Sequence, residues 1–153
     1  MELPSLAALI PVLQVAVGPV ILISGVGLLL LSMTNRLGRA IDRARILREE
    51  IKSEPSVDEH HIEEQLNIIW HRADIIRKAI IFAAISVLLA SLLIIVLFIA
   101  SLFDLDYGWL LALIFIACLC SLIVSLSLFL FDINKSLAAL KFEIQDVVSI
   151  QDK

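Results

Sequence analysis

Five polar residues crowd the end of the first apolar run: Asn35, Arg36, Arg39, Asp42 and Arg43. At helical steps of three and four, such guanidinium, carboxylate and amide groups make charge-assisted hydrogen bonds along one helix and between helices. At the edge of a bilayer they would stop transfer and anchor the chain. As a functional group they would form an inner gate or an inter-subunit lock. Asp42 and Glu49, on neighbouring turns, are the expected acid partners of Arg36 and Arg39. A second constellation, Asp58-Glu59-His60-His61-Ile62-Glu63-Glu64, puts His60 and Glu64 at i and i+4 on one helix face, a spacing compatible with a divalent ion. Two ligands do not close a metal site, and acids at a helix start are also favoured by the helix dipole. A third group, Glu2, Asp104 and Asp106, would make a negative outer mouth. No glycine-rich phosphate loop, no nucleophile with a base at readable spacing and no paired intramembrane carboxylates occur. Neither catalytic residues nor a cofactor are implied, and an enzyme is not the expected class.

The distribution of charge indicates what scaffold holds these groups. All twelve Lys and Arg residues lie between Arg36 and Lys78 or between Lys135 and Lys153, and three long apolar runs carry none. With 60% hydrophobic residues and a mean hydropathy of +0.99, the 153-residue chain is too apolar for a soluble domain and too short for two cores. One membrane domain over 1–153 follows, with spans at about 5–33, 79–103 and 109–131. The first run exceeds what a span needs, so it must tilt, kink or protrude. It lacks the basic leader of a secretory signal, and a stop-transfer block follows it. Under the positive-inside rule the N-terminus lies outside, 34–78 in the cytoplasm, the Asp104/Asp106 loop outside and the C-terminus in the cytoplasm. The lipid bilayer is the expected partner, and nucleic acid is not. Cys118 and Cys120, two positions apart on a helix, diverge and read as packing residues.

Between the first two spans, Leu37, Ile41, Ala44, Leu47 and Ile51, then Ile62, Leu66, Ile69, Ala73 and Ile76, recur at helical spacing. Pro55 separates two amphipathic helices, and Ser56 with Glu59 has capping-box spacing for the second. Each helix is expected to be continuous with its span, giving an antiparallel cytoplasmic hairpin at about 34–78. The two full helices would each be roughly 70 Å long. A further amphipathic helix is expected at about 133–149, on Ile133, Leu137, Leu140, Ile144 and Val148. The fold class is therefore an all-α membrane protein with three spans, an extended hairpin and a C-terminal amphipathic helix.

The first span differs from the others in holding glycine, proline and an amide. One face presents Gln14, Gly18, Ile21, Gly25, Leu28, Ser32, Asn35, Arg39 and Asp42. Small residues at Gly18 and Gly25 suit close helix packing, and the same stripe suits a pore lining; the residues leave both open. Three helices enclose no lumen, so a conduit requires a homo-oligomer. In a ring, Gln14, Gly18, Ile21, Gly25, Leu28 and Ser32 would line the axis, with Ile21 and Leu28 as an apolar constriction. Inorganic ions would be the permeant species, cations before anions, with calcium among the candidates. The alternative is a non-conducting scaffold or regulator that binds a protein partner through the hairpin.

The run Pro19-Val20-Ile21-Leu22-Ile23-Ser24-Gly25-Val26-Gly27-Leu28 through Thr34-Asn35-Arg36-Leu37-Gly38-Arg39-Ala40-Ile41-Asp42-Arg43 resembles a family of small prokaryotic membrane proteins, domain of unknown function 2721. The three-span layout agrees over most of the chain. The resemblance implies a prokaryotic inner-membrane protein and supplies no activity or catalytic residue.

Overall fold

The computed structural model describes residues 6–53, 59–103 and 108–151, with side chains described over 10–49, 67–103 and 108–135. The described residues form three helices, α1 (Leu6–Ser53), α2 (Glu59–Phe103) and α3 (Gly108–Gln151), and no strand. At 48, 45 and 44 residues they run about 72, 68 and 66 Å. Each contains a segment long and apolar enough to cross a membrane. The expected pair of matched helices is present, and a third of nearly the same length stands with it.

That third helix corrects one expectation. Residues 133–149 do not form a separate amphipathic helix but continue α3 without a break. No glycine or proline follows Gly108, so nothing in the backbone ends the helix where the apolar run ends. The change from apolar to amphipathic pattern marks a change of surroundings along one helix. Pro11 and Pro19 likewise sit inside α1 without ending it. Pro19 has no N–H to give the Val15 carbonyl, a loss that the long flanking helix absorbs.

Helix α2 lies between the other two, packed on α1 along one side and on α3 along the other. Its small residues explain the central position. Ala79, Ala83, Ser86 and Ala90 recur with Ile76 and Leu93 at steps of three and four, and all are buried. Surrounded by lipid, a helix gains nothing by hiding a leucine, so association relies on close packing, which small side chains permit. Helix α3 meets this seam with Ile114, Cys118, Ser121 and Ser125, also buried. Cys118 Sγ donates to the Ser86 carbonyl at 3.2 Å, Ser121 Oγ to the Phe82 carbonyl at 2.8 Å and Ser125 Oγ to the Ala79 carbonyl at 2.7 Å. Numbers rise on α3 as they fall on α2, so the pair is antiparallel. Each such bond in a membrane contributes roughly 0.6 kcal/mol, and together they hold the register. Cys118 is thus a packing residue, whereas Cys120 is exposed, and neither forms a disulfide.

Helix α1 turns Ala16, Val26, Met33 and Leu47 inward. Its most apolar window is 11% buried within the chain, half the 22% of α2 and α3. It is the helix least covered by its own chain.

Candidate functional site

The α2–α3 seam ends in a buried charge. Asp132, 0% exposed, lies seven residues beyond Ser125 and fourteen beyond Cys118, on the same face of α3. Arg72 stands seven residues before Ala79 on α2, the matching heptad step. The geometry that pairs Ser125 with Ala79 therefore brings Arg72 to Asp132, with Nε 3.6 Å from Oδ1. From α1, Arg36 Nη2 reaches Oδ2 at 3.2 Å. One carboxylate joins all three helices. Arg36 also lies over the Phe129 ring, 5.5 Å from its centroid, so an aromatic face on α3 helps hold the guanidinium. Neither carboxylate oxygen nor Arg72 Nε has an aligned hydrogen bond among the described residues, so the attraction is Coulombic rather than a bidentate clasp.

The expected partnership of Arg36 with Asp42 or Glu49 is corrected: its acid is Asp132. Asp132 escaped notice in the sequence because it stands one residue past an apolar run, where an acid reads as solvated. The signal that would have found it is its heptad spacing from Cys118 and Ser125. Asp74 is bonded to Lys78 one turn on, at 2.7 Å.

Arg36, Arg39 and Arg43 from α1 and Arg72 from α2 line a cavity of about 410 Å³ with Ala40, Ile69 and Ile76. Three members of the expected inner polar cluster thus share one space. The other two, Asn35 and Asp42, are exposed.

All nine positions of the α1 stripe, Gln14, Gly18, Ile21, Gly25, Leu28, Ser32, Asn35, Arg39 and Asp42, are exposed. Ile21 and Leu28 are 66% and 70% exposed at its apolar middle. The residues of α1 buried within the chain, Ala16, Val26 and Met33 among them, are different ones, and of the stripe Gly18 and Arg39 stand at the edge toward α2. A Cβ added at Gly18 or Gly25 meets nothing within 4 Å, so no contact within the chain requires glycine there. Close approach inside the protomer comes from the alanines and Ser86 of α2. Toward the opposite end of the apolar segments, Val15, Gly18, Pro19 and Leu22 of α1 face Leu93, Ile94 and Leu97 of α2 and Leu111, Ala112 and Phe115 of α3 across an apolar groove of about 540 Å³.

Glu2, Asp104 and Asp106 lie outside the described residues, as do Ser56 and the side chains of Glu59, His60 and Glu64. Among the described residues no group of three or more His, Cys, Asp or Glu side chains could hold a metal ion.

A family model described as "Protein of unknown function (DUF2721)" matches residues 16–142, a stretch that includes the Asp132 cluster, the arginine cavity and most of the α1 stripe. No curated protein and no solved structure matches the chain.

Proposed function

The chain belongs to the DUF2721 family, and we propose that it is a homo-oligomeric cation channel in which α1 helices of several copies line the axis. The observation that carries this reading is the exposure of the whole α1 stripe, with its glycines unused inside the protomer. An amide such as Gln14 facing hydrocarbon lacks a hydrogen-bond partner, and a water-filled axis or a ring of symmetry-related amides supplies one. Identical copies close into rings, so a stripe on one helix becomes the lining of a conduit. Ile21 and Leu28 then form an apolar neck that gates by dewetting, and Ser32 and Asn35 form the wider inner end. Glu2, Asp104 and Asp106 give a negative outer rim that concentrates cations, calcium more than monovalent ions because the energy scales with charge.

The orientation in this reading follows from charge: N-terminus outside, hairpin and C-terminus in the cytoplasm of a prokaryotic inner membrane. A cysteine placed at Asp104 is expected to react with an impermeant thiol reagent from outside, and one at Pro55 is not. The reverse pattern overturns the orientation.

Flux from purified protein in liposomes tests conduction. The unsubstituted protein is expected to pass cations, Leu28→Ser to raise the leak severalfold, and Leu92→Ser, on an exposed face of α2, to leave it unchanged. Equal effects at the two positions, or a monomeric mass in the membrane, end the channel reading. The scaffold alternative is favoured by a different observation: Trp70, on the hairpin beyond the apolar segment, is 76% exposed and lines an apolar groove with Ile41, also exposed, and Ala73. A protein partner would cover such a surface. A non-conducting protein would leave that reading in place.

A further inference from the structure

We propose that the arginine cavity between α1 and α2 binds a phosphate group, and that its source is the headgroup of an acidic phospholipid. Four guanidinium groups line it, from Arg36, Arg39, Arg43 and Arg72, and no acid is among the described lining residues. Asp132 lies behind two of them and supplies one negative charge against four positive. The excess calls for an anion. Planar guanidinium groups fit phosphate oxygens with paired N–H donors, so arginine in all four positions suits a phosphate better than a diffuse cloud of counterions.

The depth of the cavity selects the lipid. Met33 is the last buried apolar residue of the α1 span, and Thr34 turns its hydroxyl back to the Leu30 and Leu31 carbonyls at 2.7 and 3.0 Å. Arg36 comes three residues after Met33, about 4.5 Å along the axis, which places it at headgroup level. Helical side chains lean toward their own N-terminus, so Arg39 and Arg43 lean back toward the bilayer. Arg72, on an antiparallel helix, leans the opposite way, and the groups converge. Ile76, one turn toward the bilayer from Arg72, provides an apolar wall for the glycerol and the first methylenes of the chains, while Ala40 and Ile69 close the side away from it. Basic pockets between membrane helices at this depth have the chemistry that phosphate headgroups require. This inference does not depend on conduction.

The test compares thermal unfolding in bilayer discs of phosphatidylcholine with and without phosphatidylglycerol. The anionic lipid is expected to raise the midpoint by roughly 5 °C, as a ligand bound well above its dissociation constant does. Arg39→Gln with Arg43→Gln should lose most of that shift. Arg45→Gln with Arg48→Gln, exposed residues of the same helix that do not line the cavity, should keep it. Native mass spectrometry of the unsubstituted protein should find phosphatidylglycerol retained over phosphatidylcholine, a readout independent of how the variants fold. An equal loss in both double variants means diffuse surface attraction and overturns the site. A shift from inorganic phosphate in pure phosphatidylcholine, without one from the anionic lipid, assigns the cavity to soluble phosphate and overturns the lipid. No shift and no retained lipid overturn both.

Discussion

Asp132→Ala is expected to destabilise the folded protein by about 3–5 kcal/mol, because it strips the acid from two partly buried arginines and leaves their charge without compensation. Unfolding free energy in micelles measures it. The origin of the loss is separable from the removal of side-chain volume. Asp132→Leu combined with Arg36→Met and Arg72→Met removes the charges together, and is expected to recover most of the stability that Asp132→Ala loses. A loss below about 1 kcal/mol for Asp132→Ala would mean that the carboxylate is hydrated and contributes like an exposed pair. Failure of the triple variant to recover would mean that something other than charge is lost.

Ala83→Leu should be nearly as damaging, at about 3 kcal/mol, while Ala84→Leu, one position on, should be close to neutral. Ala83 is 1% exposed on the seam, and a leucine there forces α2 from its neighbours by more than side-chain adjustment can absorb. Separation would also lengthen the bonds from Ser121 to the Phe82 carbonyl and from Ser125 to the Ala79 carbonyl. Ala84 is exposed, turned about 100° away around the helix. Thermal midpoints of the two variants in one detergent decide the matter. Equal midpoints would show that α2 does not pack through its small residues.

Together these two substitutions probe the same architecture at its dry and charged ends. The small residues set how near the helices come, and that distance determines whether Arg36 and Arg72 reach one carboxylate. The charged end in turn supplies the cavity whose excess of arginine calls for an anion.

Three helices long and apolar enough to cross a membrane, and the near-equal length of the first two, were legible because each depends on composition and period along a single segment. Apolar runs of sufficient length, the absence of any glycine or proline run at the junctions and the confinement of cations carry that information locally. The outward stripe on α1 was legible as a periodic face, though its exposure was not, since periodicity groups residues without saying which neighbour they meet. Gly18 and Gly25 illustrate the limit: they promised close approach, yet within the protomer that approach belongs to Ala79, Ala83, Ser86 and Ala90 of α2. The continuity of α3 was misread because a change in polarity resembles a boundary, while helix propensity runs through it unbroken. Asp132 marks the deepest division. By itself it is an acid at the end of an apolar run, and its burial depends on Arg36, ninety-six positions earlier, and Arg72, sixty earlier, arriving from two other helices. Composition and spacing determined what each helix is; only the packing of the three decided which charges meet, because an ion pair between distant residues exists only where the folded chain brings its members within a few ångströms.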